Sequence, residues 1–186
     1  LLAVITEVTV KILKKPEVVK AALIGFSSIE DAGQCVSEII AEGIIPAGME
    51  IMDKALTKAT NDYSKAGYPV DAEAMMIVEL DGTETEVSEL IKRVEVIAKK
   101  NKCSSIKINK SEEERLKFWA GRKAAFPACG DLAPDYMCMD GSIPRGKLAE
   151  VLKEIQRLSK KYELPVANAF HAGDGNLHPL IMFNAN

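Results

Sequence analysis

His171 and His178 are the only histidines in the chain, and both lie in the run His171-Ala-Gly-Asp-Gly-Asn-Leu-His-Pro179. Imidazoles bind transition metals, move protons and position hydroxyl groups, so chemistry is expected to concentrate here. On one straight strand the two side chains would face opposite sides, because strand side chains alternate with period two. The Gly173-Asp174-Gly175 turn removes that objection, since Asp-Gly reverses the chain where glycine adopts positive φ. Folded back, the two rings can come close enough to share a metal ion or a substrate. The competing reading makes one histidine a loop cap and the other a satisfied sheet residue. A zinc site would need a third ligand, usually a carboxylate or another histidine, and none stands near residue 171 in sequence. Asp174 fits turn geometry as readily as ligation, and Asn176 can present its amide to a ligand or close an Asx-type turn.

Two arginines are further candidates. Arg122, in Phe118-Trp-Ala-Gly-Arg-Lys123, sits beside an aromatic residue on an expected helix and can grip a carboxylate in a bidentate manner. The plainer alternative is a solvated helix arginine. Arg145, in Ser142-Ile-Pro-Arg145, opens a helix after proline, where a cation gains nothing from the helix dipole, so a surface role competes with a binding one. Glu50 and Asp53 are three residues apart. Paired carboxylates do acid–base work, but strand-end and cap positions explain most such pairs, and a structural role is expected. The chain has no Gly-x-Gly-x-x-Gly fingerprint, P-loop or Gly-x-Ser-x-Gly elbow, and so no nucleotide-binding element of its own.

The elements that must position these residues read as one α+β domain. Its 186 residues are 47% apolar and 27% charged, a profile with room for a real core. A formal charge of −3 argues against a nucleic-acid partner. No apolar run approaches the roughly 20 residues that span a bilayer, and no signal peptide is visible. Cys35, Cys103, Cys129 and Cys138 form no Cys-x-x-Cys pair, which fits a reduced cytosolic setting.

Strands are expected at residues 6–13, 20–26, 47–52, 75–80, 104–108, 136–139, 166–170 and 177–183. Helices are expected from Ser28 to Gly43, briefly after residue 52, from Thr83 to about Lys100, from a capping box at Ser111-Glu-Glu-Glu114, and over about 145–162. Strand-helix-strand units recurring twice predict a ferredoxin-like, largely antiparallel sheet with helices packed mainly on one face. Only the first fifteen or so residues look detachable, ending at the Lys-Lys-Pro break. The chain starts in what looks like a strand, which suggests a piece of a longer protein.

Six segments, in order along nearly the whole chain, resemble the C-terminal (cap) domain of FAD-linked oxidases. They are Val4-Ile-Thr-Glu7, Glu50-Ile-Met-Asp53, Val78-Glu-Leu-Asp-Gly82, Phe118-Trp-Ala-Gly-Arg-Lys123, Asp140-Gly-Ser-Ile-Pro-Arg145 and Asn168-Ala-Phe-His-Ala-Gly-Asp-Gly-Asn-Leu-His-Pro179. Within the family they are most similar to glycolate oxidase flavoprotein subunits and D-lactate dehydrogenases. The resemblance implies that residues 1–15 are the last strand of an FAD-binding domain and that 16–186 are the cap domain, truncated at its C-terminus. It implies oxidation of a small 2-hydroxy acid to the 2-oxo acid, with FAD bound mainly by the other domain.

On that reading His171 and His178 lie over the flavin, where they position the substrate hydroxyl or bind a divalent metal such as zinc. Arg122 and Arg145 bind the substrate, Arg122 by its carboxylate, and Ile5 and Asn176 face the cofactor. The implied partner is an electron-accepting iron–sulfur subunit; a homodimer stays open. The implied location is cytoplasmic, peripheral to the inner membrane through partner subunits. Three departures stand out: Ala3 where the family usually has glycine, Cys138 where some relatives carry a substrate-contacting lysine, and a chain that stops before the family's Gly-Glu-His-Gly segment. The isolated chain is therefore expected not to turn over. The alternatives are a stand-alone ferredoxin-like metal- or ligand-binding module without redox activity, and a structural domain whose histidines only pack.

Overall fold

The computed structural model describes residues 3–185. Two interlocked strand-helix-strand units form its first half. β1 (Val18–Phe26), α1 (Ile29–Ala41) and β2 (Gly48–Asp53) make one; β3 (Ala74–Gly82), α3 (Glu84–Lys100) and β4 (Cys103–Ile108) make the other, with α2 (Lys54–Ser64) between them. The remainder comprises α4 (Glu112–Lys123), α5 (Ala125–Ala128), β5 (Asp135–Cys138), β6 (Gly141–Ser142), α6 (Leu148–Tyr162), β7 (Val166–His171) and β8 (Asn176–Phe183). The sheet runs β4-β1-β3-β2-β7-β8-β5, with β6 also paired to β8. Every ladder in it is antiparallel. The β4-β1-β3-β2 portion is the ferredoxin-like order expected from two strand-helix-strand units. The β7–β8 hairpin docks on the edge of β2 and carries the histidines into the same sheet.

Local sequence explains the helix ends. Ser28 Oγ accepts from the Asp31 amide at the start of α1. Thr83 and Glu86 form a complete capping box at α3, each side chain bonding the other's backbone. The box expected at Ser111 is only half made. Ser111 Oγ accepts from the Glu114 amide, but the Glu114 carboxylate takes the amide of Lys110 instead.

The three longest helices, α1, α3 and α6, share one face of the sheet, where Ala22, Ile24 and Phe26 meet Val36, Ile39, Val94 and Leu152. The opposite face carries a second, smaller core beneath α2, α4 and α5, built from Leu23, Met52, Leu56, Ile77, Phe118 and Leu180. Burial on both faces explains why β1 and β3 read as continuous apolar runs rather than as alternating strands.

Residues 6–13 form no strand. Their alternation is real, but a strand needs a neighbour for its backbone groups, and β1 is already flanked by β3 and β4. Val8, Val10 and Ile12 are left exposed. Residues 1, 2 and 186, which the expected domain limits include, lie outside the described residues. Among the described residues no helix is long and apolar enough to cross a membrane.

Candidate active site

The β7–β8 register sets His171 opposite Asn176 and Ala169 opposite His178. The two histidines are therefore diagonal neighbours on one face, the face of α2 and α4. Their ring centroids lie 5.2 Å apart, with the planes perpendicular. The expected turn does this work. Asp174 N donates to the His171 carbonyl at 3.1 Å, and Gly175 takes φ +75°. A Cβ on Gly175 would stand 2.3 Å from the carbonyl oxygen of Ile143, so this position needs glycine for space as well as for conformation.

The next strand supplies what the sequence reading did not foresee. Glu50 of β2 is paired with His171 in the ladder and points to the same face. Its Oε1 lies 2.8 Å from His171 Nδ1. Its Oε2 accepts from Arg122 Nε at 3.0 Å and forms an ion pair with Nη2, also 3.0 Å away. The Glu50 and Arg122 side chains are each only 9% exposed, whereas the His171 side chain is 46% exposed.

Arg122 reaches Glu50 because α4 is pinned over the sheet. Two turns and one turn earlier on that helix, Arg115 and Trp119 Nε1 both bond Glu79 of β3. Tyr68 Oη donates to the Phe118 carbonyl. A side chain at Gly121 would collide with Tyr68, so the glycine beside Arg122 is what lets the helix sit this low.

The other candidates fall around this centre. His178 Nδ1 is 3.8 Å from Asp140 Oδ1, and Asn176 Nδ2 donates to the same oxygen at 2.9 Å. Arg145 begins a short 3-10 turn ahead of α6 and is exposed, its Nη1 donating to the Gly173 carbonyl at 3.2 Å. A cleft of about 190 Å³ is bordered by Met49, Glu50, Arg145, His171, Gly173 and Asp174. Ile5 stands 82% exposed in the extended N-terminal stretch. Asp53 does not pair with Glu50, because residues three apart on a strand face opposite sides. It caps α2 through the Leu56 amide, and burial pushes its carboxyl up to about 6.

Two residues of this centre, Glu50 and Asp140, were not singled out as functional from sequence. Glu50 carried a usable signal: a lone acid within an otherwise apolar strand must find a partner inside the fold. Asp140 carried only its place at the head of the Asp140–Arg145 segment.

Two imidazoles this close can supply two metal ligands. Among the described residues no group of three His, Cys, Asp or Glu is arranged to hold a metal, so the donor set is incomplete within them.

The sequence pattern of the family described as "FAD linked oxidases, C-terminal domain" matches residues 15–186, and the chain belongs to that family. It is 55% identical over 186 residues to the glycolate oxidase subunit GlcD of Escherichia coli (strain K12), covering all of this chain and 37% of that protein. It is 29% identical over 191 residues to "D-lactate dehydrogenase [cytochrome] 1, mitochondrial" of Saccharomyces cerevisiae, covering 98% of this chain and 32% of that one. The chain thus spans about a third of the length of these curated relatives. A crystal structure of p-cresol methylhydroxylase with substrate bound superimposes with a TM-score of 0.68 at 14% identity, over 91% of this chain and 39% of that one, a likeness of fold.

Proposed function

We propose that this chain is the substrate-side cap of an FAD-dependent oxidoreductase that converts a small 2-hydroxy acid, of the glycolate or D-lactate type, to its 2-oxo acid. The observation that carries the reading is His171 at the rim of a cleft that also holds cationic Arg145, with the His178 ring 5.2 Å from that of His171, within a family linked to FAD. The names of the relatives agree with it. FAD, when bound, accepts the hydride from the hydroxyl-bearing carbon.

The residues of this chain do the rest. One imidazole of the His171–His178 pair takes the hydroxyl proton as the hydride leaves, which lowers the cost of the step. Arg145, at the cleft, holds the substrate carboxylate and so fixes which face of the carbon is presented, and Arg122, whose Nε bonds Glu50, is the second cation proposed for that carboxylate. Asn176 and Ile5 face the cofactor. The exposed apolar residues of the N-terminal stretch support assigning residues 1–15 to the last strand of a flavin domain and 16–186 to the cap. His171 and His178 are the two ligands this chain offers to a divalent metal such as zinc; no step above depends on that metal. An iron–sulfur subunit is the proposed electron acceptor, and the assembly is placed in the cytoplasm, peripheral to the inner membrane.

The test is anaerobic mixing of the full-length flavoprotein with glycolate or D-lactate while flavin absorbance is followed. Bleaching is expected, with the rate cut by about 10²–10⁴-fold in His171→Ala or His178→Ala. Bleaching at an unchanged rate in the doubly substituted protein, or none in the unsubstituted one, would overturn the reading.

A further inference from the structure

We propose that Glu50 is a positioning residue of this site, one carboxylate that fixes the tautomer of His171 through one oxygen and is itself locked by Arg122 through the other. The inference deepens the activity proposed above and rests on it for its kinetic arm alone.

The geometry leaves the imidazole little choice. An ionised carboxylate has no hydrogen to donate, so at 2.8 Å from Glu50 Oε1 it is Nδ1 of His171 that carries the hydrogen. In the neutral ring the lone pair is then on Nε2, at the end of the ring directed away from Glu50. The ring is half-exposed, so Nε2 is the nitrogen offered to a substrate hydroxyl or its proton.

A free glutamate would not hold that choice, because it can rotate and exchange its partner for water. Here it cannot. Oε2 accepts from Nε of Arg122 with Nη2 also 3.0 Å away, and both side chains are nearly sealed from solvent. The ladder pairing of Glu50 with His171 fixes the separation of the two backbones as well. The arrangement has three parts: guanidinium, carboxylate and imidazole, each orienting the next.

A docking role alone does not account for it. α4 is already fastened by Arg115 and Trp119 to Glu79 and by Tyr68 to the Phe118 carbonyl, and none of these bonds involves the imidazole. If Glu50 served only to seat the helix, its loss would act on stability and would be indifferent to His171.

The experiment uses the full-length flavoprotein, selectively labelled with ¹⁵N-histidine. In Glu50→Gln the new amide turns its NH₂ either toward Arg122, where donor meets donor, or toward His171, where it is satisfied only if Nδ1 gives up its hydrogen and accepts. The unsubstituted protein is expected to show His171 as the Nδ1–H tautomer, and Glu50→Gln to show a mixture or the Nε2–H form. The flavin-reduction rate constant should fall about 10–100-fold, the usual cost of losing a carboxylate behind a histidine. In a His171→Ala background the same substitution should cost less than threefold. Glu50→Asp, which keeps the charge, should retain the Nδ1–H tautomer and recover part of the rate, and it carries the same measurements if the glutamine variant does not fold.

An unchanged His171 tautomer in Glu50→Gln, or an equal fold-loss with and without His171, would overturn the proposal. If the protein reduces no flavin with any 2-hydroxy acid, the activity reading fails while the tautomer measurement still decides the role of Glu50.

Discussion

Asn168 Nδ2 donates a 2.8 Å hydrogen bond to Asp53 Oδ2, joining β7 to β2 one step beyond the last ladder pair, Met52 with Ala169. The bond lies on the opposite face of the sheet from Glu50 and His171, so β2 and β7 are tied by polar pairs on both sides. The two ties differ in quality. Glu50 has a cation on its second oxygen. Asp53 has only amides, and the side-chain Oδ1 of Asn168 is buried with no partner.

That imbalance predicts an unusual pH dependence. Burial raises the Asp53 carboxyl to about 6, above its ordinary 3.8, so between those values the folded protein binds more protons than the unfolded one. Stability from this group is therefore fully present below about pH 4 and is lost as the pH rises toward 6, a loss on the order of 3 kcal/mol. Asp53→Asn should remove the slope. Its Oδ1 can still cap α2, and once the Asn168 side-chain amide turns over, its NH₂ can donate to Asn168 Oδ1. Urea unfolding at pH 4 and pH 7 should show the variant gaining on the natural protein only at pH 7. A constant difference between the two proteins across that range would contradict the assignment.

The two glycines of the histidine turn should behave differently. Gly175 has φ +75°, and an added Cβ would meet the Ile143 backbone carbonyl oxygen at 2.3 Å, an atom that cannot swing aside as a side chain could. Gly173 has no positive φ, and its nearest neighbour would be Met49 Cβ at an ordinary 3.5 Å. Gly175→Ala should therefore cost about 2 kcal/mol or more and displace β6, whereas Gly173→Ala should cost under about 1 kcal/mol. Thermal melts of the two variants decide it; similar melting temperatures would show that the turn does not constrain this segment.

The same turn shows what could be read from sequence and what could not. The Gly-Asp-Gly reversal, the period of α3 behind Thr83 and the apolar run of β3 are local signals, and each led to the right element. The ferredoxin-like order followed from the repeat of strand-helix-strand units. β6 did not, because a two-residue bridge has no periodicity to detect. Residues 6–13 misled for the reverse reason, since alternation reports suitability for a sheet and not the presence of a neighbour. Glu50 is the instructive miss. Its neighbour Asp53 suggested a carboxylate pair, yet its partners lie 72 and 121 residues away. Only the β2–β7 register brings them together, and register is a property of the whole sheet.

Arg122 then sets a stability prediction that separates the pair from its chemistry. Removing one member of a buried ion pair leaves the other charged, desolvated and short of partners, which usually costs about 3–5 kcal/mol. Arg122→Met keeps the bulk of the side chain but leaves Glu50 with His171 alone, so a loss of that size is expected in urea unfolding. Adding Glu50→Gln removes the stranded charge. The double variant should recover much of the loss, giving a coupling energy of about 1–3 kcal/mol in the cycle. Arg115→Met should cost less, because the Trp119 indole remains to satisfy Glu79. Simple additivity of the Glu50 and Arg122 substitutions would mean that the guanidinium and carboxylate do not act as one unit in solution.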